Sequence, residues 1–395
     1  MQDRKIRWLT ALTCSMVAVD TLFYSAIGPL LPLLASTHEL STAQLGLVSG
    51  AFGAGAIAGA LLSAYLVGRM GVRPVAVVGL LTLAVASLAF GFVDGFGALA
   101  LARLVAGASS ALSWGAAFAW LVLATPHARR GRAIGTLFGT SVIGAATGPA
   151  LGSLAATVGL GIVFTGIACL AVLIGLWALA EPAAAPGPSP TELSLATART
   201  IMLPALACGL GVVALGLMLF AALVVLAPLG LDRLGWNPRA VGAVFLLAAL
   251  AEAAVHPVLG RWSDASGPGV PVRAGLTASA VLLLALTLTG GNPWLLASLV
   301  VLAAACFNAT VTPGAALFSG RAAQAGVGPG VAFGAVNFAW SLGYALGASL
   351  AGVLAGAFGE QTAYLALGAV CILALLITHR TPYLSTTAMP PFGGT

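Results

Sequence analysis

Three ionisable residues of this sequence lie inside long apolar segments: Asp20, Arg103 and Glu252. A charged side chain at the centre of a membrane-spanning helix costs roughly 2.5–3.5 kcal/mol on insertion scales. Such residues are retained where they face a partner or a water-filled cavity, and they commonly handle protons or ions. We therefore interpret these three residues as a proton-coupling set inside a bilayer.

The depths of Asp20 and Arg103 can be estimated from their distance to the segment ends. Asp20 follows Arg7 by 13 residues, which places it about 20 Å from the inner face. Arg103 follows Asp94 by nine residues, which places it about 13 Å below the outer face. The two residues thus share a level, and we hypothesise a charge pair, switchable during transport, on a cavity wall. A permanent structural ion pair is the alternative.

Glu252 lies in the inner half of its segment, and His256 follows one turn later on the same face. A carboxyl group at this position could load and release a coupling proton. The alternative is a protonated glutamic acid that is bonded to a neighbouring helix. We interpret His256, close to the inner end, as an interfacial histidine.

The segments that carry these residues have the composition of membrane helices. The chain is 60% hydrophobic and 7% charged, whereas soluble proteins carry roughly 25% charged residues. The apolar runs are long and do not alternate, which favours helices over barrel strands. With about 20 residues for each span, the sequence predicts an all-α membrane protein with twelve transmembrane helices. The predicted spans are 8–34, 43–67, 74–93, 96–124, 133–157, 160–180, 201–229, 239–259, 273–290, 293–318, 330–356 and 360–378.

A polar, proline-rich stretch near the middle of the chain separates the first six spans from the last six. The predicted organisation is an N-terminal six-helix bundle, a cytoplasmic linker, a C-terminal six-helix bundle and a C-terminal tail at 1–180, 181–200, 201–380 and 381–395. Gly135, Gly144 and Gly148 each have a counterpart glycine 199 residues later. This repetition predicts two pseudo-symmetric bundles, a known plan of transporters.

The basic residues set the orientation. With the N-terminus inside, thirteen of the 16 basic residues fall in inner loops or tails and two in outer loops. This bias predicts a multi-pass protein of the inner cell membrane with both termini in the cytoplasm. The same bias accounts for the formal charge of +6, so we expect no nucleic-acid partner.

Two glycine-rich motifs accompany the charged residues. In the fifth predicted span the series is Gly135, Gly144, Gly148, Pro149 and Gly152. Glycines let helices approach closely, and a proline removes one backbone hydrogen bond and favours a kink. Such a helix could serve as a rocking surface or a leak seal. Ordinary small-residue packing is the alternative.

The second motif occupies the inner loops after the second and eighth spans. The later copy has Gly260, Asp264 and Gly267, and the matching positions of the earlier copy include Arg69, Gly71 and Arg73.

These motifs resemble those of the major facilitator superfamily. The inner-loop motif is similar to that family's G-x-x-x-D-R-x-G loop, and Arg103 with Gly107 resembles its fourth-helix proton-transfer motif. The series Gly135–Gly152 resembles the fifth-helix signature of its antiporters. Asp20 stands before Tyr24 as in the first helix of drug:proton antiporters. The resemblance implies a monomer that works by alternating access, with helices one, four, seven and ten lining the cavity.

Five further side chains are candidates for lining an amphipathic substrate cavity: Tyr24, Trp114, Phe118, Asn337 and Trp340. We therefore predict a secondary active transporter that exports a small amphipathic molecule in exchange for protons. Its partners would be that substrate, protons and the lipid bilayer. A proton-coupled symporter that imports a metabolite is the alternative.

Other classes of protein have weaker support. The chain's single lysine is Lys5, so it lacks the lysine of a phosphate-binding loop. Glu252 and His256 stand in the wrong order for a zinc-protease motif. We expect no catalytic residue, metal site or cofactor, and we regard an intramembrane enzyme or a receptor as less favoured.

Overall fold

The computed structural model describes residues 2–126, 129–182 and 195–380. Throughout these residues the regular structure is helical. A 3₁₀ turn at Gly28–Leu30 accompanies α-helices that we number in chain order. They are α1 (Gln2–Ser25), α2 (Leu31–Thr37), α3 (Thr42–Met70), α4 (Val72–Phe92), α5 (Phe96–Ala124), α6 (Arg130–Val158), α7 (Leu160–Ala180), α8 (Leu195–Ile201), α9 (Pro204–Arg233), α10 (Pro238–Ser266), α11 (Gly269–Thr287), α12 (Pro293–Ala309), α13 (Val311–Gln324), α14 (Pro329–Phe358) and α15 (Glu360–Arg380).

Twelve helical segments within the described residues are long and apolar enough to cross a membrane. They run from Arg4–Thr37, which combines α1 and α2, to Glu360–His379. Large apolar side chains cover much of the outside, such as Leu61 at 67% exposed and Ile162 at 69%. Exposed apolar surface on this scale suits lipid as the surrounding solvent. The predicted all-α fold with twelve membrane-spanning helices is confirmed.

Two of the predicted spans are interrupted by proline. α1 ends at Ser25 and α12 ends at Ala309, in each case four residues before a proline, Pro29 or Pro313. A proline ring clashes with the carbonyl group four residues earlier, so the helix ends where that carbonyl lies. The sequence predicted continuous helices at 8–34 and 293–318, and both are instead pairs of helices.

Not every proline within a span interrupts its helix. Pro228, which stands 199 residues after Pro29, lies inside the unbroken helix α9. Pro149 likewise lies inside α6.

Tight turns join consecutive spans at the ends that the sequence predicts to be cytoplasmic. Gly71 separates α3 from α4 with φ of +83°, and Gly267 separates α10 from α11 with φ of +76°. This left-handed conformation favours glycine, since a side chain there would be strained. The two glycines of the predicted inner-loop motif therefore end their helices in the same way.

The described helices fall into two compact units. The first contains residues 1–192 and 228–246, and the second contains 193–227 and 247–395. The segment 228–246, which the sequence assigned to the C-terminal bundle, thus groups with the first unit. The predicted limits 1–180 and 201–380 stay a prediction. Most of the predicted linker 181–200 and the whole tail 381–395 lie outside the described residues.

In the first unit, glycines of α6 rest directly on the backbone of α1. A Cβ atom at Gly144 would lie 2.7 Å from the Ala18 carbonyl oxygen, and one at Gly148 would lie 2.8 Å from the Leu22 carbonyl oxygen. Both distances are shorter than real Cβ contacts, so a side chain there would separate the helices. Gly152 continues this contact at Ala26.

The second unit repeats this helix contact. Gly343 of α14 rests on the Ala214 carbonyl group of α9, and Gly347 rests on the Met218 carbonyl group. These glycines follow Gly144 and Gly148 by 199 residues, and their carbonyl partners follow Ala18 and Leu22 by 196. The glycine repeat seen in the sequence therefore reflects one helix-packing arrangement that is present in each unit.

Gly148→Ala should weaken the protein, because the new methyl group meets the α1 backbone. Overpacking of this kind costs about 1–3 kcal/mol, which thermal unfolding in detergent would register as a lower Tm. The matched control is Gly139→Ala on the same helix, where an added Cβ meets nothing within 4 Å. An equal Tm for the two variants would contradict the close α1–α6 contact.

Candidate functional site

Asp20 is the central residue of the candidate site in the first unit. Its side chain on α1 is 1% exposed. Its Oδ2 atom accepts hydrogen bonds from the Ser110 hydroxyl at 2.7 Å and from the Trp114 indole at 3.1 Å. Ser110 and Trp114 lie one turn apart on α5, so both donors come from one helix face. The buried carboxyl group is thus held by two neutral donors from another helix.

The packing of neighbouring helices fixes the position of Asp20. The contacts of Gly144 and Gly148 with the α1 backbone fall at Ala18 and Leu22, on either side of Asp20. On α5, a Cβ atom at Gly107 would lie 2.9 Å from the Ala56 nitrogen and would collide with the Phe52 carbonyl group of α3. Small residues thereby bring α6 onto α1 and α5 onto α3, which leaves little freedom for the helices around the carboxyl group.

Arg103 lies beside the same cluster and is also 1% exposed. Its guanidinium carbon is 4.8 Å from the Phe52 ring centroid and 5.6 Å from the Phe23 ring centroid. Cation–π contacts of this kind stabilise a desolvated arginine.

The predicted common level of Asp20 and Arg103 needs refinement. Arg103 contacts Phe23, three residues further along α1 than Asp20, while the donors to Asp20 lie seven and eleven residues after Arg103 on α5. At 1.5 Å per residue, the Arg103 backbone lies about 11–17 Å along α5 from the backbones of the two residues that hold Asp20, so the two backbones do not share a level. The predicted charge pair stays a prediction.

Aromatic residues surround this cluster. Tyr24 is 9% exposed and its ring centroid lies 5.0 Å from that of Phe52. The Trp114 ring lies 5.7 Å from the Phe138 ring, and Phe118, one turn after Trp114, is half-buried. Ser110 was missed by the sequence analysis, although its spacing of one turn from Trp114 could have indicated a shared helix face.

The second unit contains a separate polar chain of three residues. The His256 Nε2 atom lies 3.3 Å from Glu252 Oε1, and its Nδ1 atom lies 2.7 Å from Thr312 Oγ1. The side chains of His256 and Glu252 are 31% and 26% exposed. The imidazole ring is therefore fixed at both nitrogens and cannot be treated as a plain interfacial histidine. Thr312 was also missed, although it directly precedes Pro313 where the tenth span is interrupted.

Asn337 and Trp340, the predicted cavity residues of the second unit, lie on α14. The Trp340 ring stacks on Tyr344 with centroids 5.6 Å apart and an interplanar angle of 2°. Trp340 also packs against the buried cluster of Val213, Leu217 and Ala339. Asn337 is half-buried, and its backbone carbonyl oxygen accepts a hydrogen bond from the Ser341 hydroxyl. A cavity-lining role for both residues stays a prediction.

The inner-loop motif residues lie at helix ends. The Arg69 guanidinium contacts the Tyr65 hydroxyl and ring. Arg73 donates to the carbonyl oxygen of Glu181 at 3.0 Å, at the carboxyl end of α7. A cation there is favourable because it meets the negative end of the helix dipole. Gly260 and the exposed Asp264 lie in the last two turns of α10.

The fifth-span motif divides into members with different surroundings. Gly144, Gly148 and Gly152 contact α1, whereas an added Cβ at Gly135 meets nothing within 4 Å. The Pro149 carbonyl oxygen accepts a hydrogen bond from Ser153 at 3.0 Å, and the Ser153 hydroxyl also lies 2.8 Å from the Pro238 carbonyl oxygen. Gly135 thus does not share the packing role of the other three glycines.

Within the described residues, no three His, Cys, Asp or Glu side chains lie close enough together to hold a metal ion. The arrangement consists of a buried carboxyl–hydroxyl–indole cluster beside an arginine in one unit and a half-exposed carboxyl–imidazole–hydroxyl chain in the other.

Comparisons with known proteins identify the protein family to which this chain belongs. The family model described as Major Facilitator Superfamily matches residues 13–331 and 206–388. The chain belongs to this superfamily, which is a family of membrane transporters.

One curated relative shares part of the sequence. It is an uncharacterized MFS-type transporter, YcaD, from Escherichia fergusonii, 31% identical over 112 residues. The match covers 28% of this chain and 29% of that relative.

Solved structures show the same fold across the chain. A bacterial homologue of the human lysosomal transporter Spinster matches with a TM-score of 0.78 at 16% identity, covering 98% of this chain and 99% of that chain. The D-xylose–proton symporter matches with a TM-score of 0.73 at 17% identity, covering 98% and 100%. The nucleoside transporter NupG, as its D323A mutant, matches with a TM-score of 0.71 at 13% identity, covering 95% and 99%. At these identities the likeness shows the fold alone.

A double-mutant cycle would test the Asp20–Ser110 contact. Asp20→Ala and Ser110→Ala should be non-additive in the free energy of unfolding, by about 0.5–3 kcal/mol, because each of them removes the same hydrogen bond. SDS-induced unfolding of purified protein measures this coupling. Ser109→Ala is the matched control, since the buried Ser109 hydroxyl donates to the Ala106 carbonyl group at 2.7 Å and not to Asp20. Additivity for Ser110→Ala would contradict the contact.

Proposed function

We propose that the protein is a secondary active transporter that exports a small amphipathic molecule in exchange for protons. The observation that carries this proposal is the Asp20 carboxyl group, 1% exposed and bonded at Oδ2 to Ser110 and Trp114. A buried carboxyl group destabilises a membrane protein, and such groups are retained where they have a function. Proton exchange is the chemistry that such a group can perform.

The hydrogen bonds of Asp20 suit both of its protonation states. Its Oδ1 atom is buried and has no hydrogen-bond partner among the described residues. A proton can bind there without displacing either donor, because the indole N–H only donates and the serine hydroxyl can stay a donor to Oδ2. Gain of the proton would then change the charge beside Arg103 and leave the local helix contacts in place.

Glu252 is proposed as a second proton-coupling residue, in the other unit. Its contact with His256 supplies a second group that can share the proton. Arg103 is proposed as the third member of the set, as the buried basic group beside the Asp20 cluster. The roles of all three residues belong to this proposal.

Alternating access is the proposed mode of transport. In transporters built from structural repeats, the two bundles rock around a binding site near the membrane midplane. The glycine contacts of α6 on α1 and of α14 on α9 make each bundle rigid, which supports movement as whole bodies. The motif formed by Gly144, Gly148 and Pro149 resembles that of antiporters and supports export over import.

The proposed substrate is small and amphipathic. Tyr24, Trp114 and Phe118 in one unit, and Asn337 and Trp340 in the other, supply aromatic faces with a few polar groups. Such surfaces bind flat apolar molecules and organic cations. We further propose that the protein acts as a monomer in the inner cell membrane with both termini cytoplasmic, which the distribution of its arginines supports.

Proteoliposomes with an acidic lumen would test the coupling. An amphipathic cation such as ethidium, an amphipathic anion and a neutral amphiphile would be added outside in turn while the lumenal pH is recorded. At least one compound should make the lumen more alkaline, because substrate enters as protons leave. Further acidification on substrate entry would instead establish the symport alternative, and no response to any compound would contradict amphipathic transport.

Asp20→Asn should abolish this proton flux, and Glu252→Gln should reduce it at least about tenfold, a common effect of losing a proton-transfer group. The control is Asp94→Asn, which alters a carboxylate that is 93% exposed in the loop between α4 and α5. The coupling assignment fails if both Asp20→Asn and Glu252→Gln support the wild-type rate with unchanged pH dependence.

A further inference from the structure

An apolar groove lies between α1 and α7, at the level of Asp20, and Asp20 is not among its lining residues. Its volume is about 380 Å³. The α1 wall consists of Ser15, Ala18, Val19 and Leu22, and the α7 wall consists of Leu170, Leu173, Ile174 and Trp177. Apart from the Ser15 hydroxyl and the Trp177 indole, the lining is aliphatic.

The groove continues as an exposed stripe toward the amino end of α1. Counting back from Leu22 by three and four residues gives Ala18, Ser15, Ala11, Trp8 and Arg4, which share one helix face. Ala11, Trp8 and Arg4 are all exposed. From Arg4 to Ser15 the distance along the axis is about 16 Å, close to half of the roughly 30 Å hydrocarbon core.

Two tryptophans lie where the side chains of the stripe change from polar to apolar. The Trp8 and Trp177 rings lie edge to face with centroids 5.9 Å apart, and Trp8 is 51% exposed. The Trp177 indole also donates to the Glu181 carboxylate at 3.3 Å. Tryptophan prefers the headgroup level of a bilayer, so Arg4, one turn beyond Trp8, would lie among the lipid phosphates.

We propose that this face binds one anionic glycerophospholipid. Its phosphate contacts Arg4, its glycerol region lies beside Trp8, and one acyl chain follows α1 past Ala11 into the groove. Arg7, three residues after Arg4, adds positive charge at the same helix end, which favours an anionic headgroup over a zwitterionic one. The small side chains of Ala11 and Ala18 leave room for the chain, and the aliphatic walls of α7 enclose its end.

Two substitutions separate headgroup recognition from chain binding. Arg4→Gln should reduce the affinity for phosphatidylglycerol about fivefold, the effect expected for one basic residue near a phosphate surface, and should leave phosphatidylcholine binding unchanged. Leu173→Trp, which fills the groove from α7, should reduce binding of both lipids. Native mass spectrometry of the full chain in detergent measures both affinities.

Each variant has a matched control on the same helix. Lys5→Gln removes an equal charge away from the stripe, and Leu176→Trp enlarges a side chain that is 57% exposed and outside the groove. The proposal is overturned if Arg4→Gln and Lys5→Gln bind phosphatidylglycerol equally, if Leu173→Trp and Leu176→Trp behave alike, or if the wild type does not distinguish the two lipids. A poorly folded Leu173→Trp variant would leave the Arg4 comparison intact.

Discussion

The structure of the first unit depends on how a carboxyl group can be kept inside an apolar helix bundle. Asp20 is 1% exposed and therefore shielded from bulk solvent, so the protein itself must supply the donors. Asp20 obtains them from Ser110 and Trp114 of α5, which requires α1 and α5 to hold a fixed register. Close glycine contacts also hold α6 on α1 and α5 on α3, so α1 and α5 are each packed against a further neighbour. The polar site and the small-residue packing are therefore two parts of one arrangement.

The two units use the same scaffold for different chemistry. In each unit, glycines of one helix rest on backbone carbonyl groups of a partner helix. Corresponding glycines of the two units are 199 residues apart in the sequence, and their carbonyl partners are 196 residues apart. The first unit places a buried carboxyl group beside an arginine, and the second places a half-exposed Glu252–His256–Thr312 chain near the interrupted tenth span. A shared framework with unequal ionisable groups suits a carrier in which the bundles move as whole bodies and differ in what they bind.

Much of this fold is predictable from the sequence because lipid imposes a simple rule of length and hydrophobicity. The twelve spans follow from that rule, and the glycine repeat follows from the spacing of the glycines in the two halves. The helix interruptions at Ser25 and Ala309 do not follow from that rule. A proline follows each interruption, but Pro149 and Pro228 lie in continuous helices, so the local sequence does not distinguish an interrupted helix from a continuous one. Within the site, Asp20, Arg103 and Glu252 stand out by charge. Their partners Ser110 and Thr312 do not, because common hydroxyl residues gain meaning only from a neighbouring helix.

The central claim is that Asp20 binds and releases a proton inside the bundle. Infrared difference spectroscopy of the purified protein between acidic and alkaline buffers tests it without knowledge of the substrate. The account predicts a carboxylic-acid C=O band that disappears in alkaline buffer and whose main component is missing from Asp20→Asn. Identical difference spectra for the wild type and Asp20→Asn would contradict it.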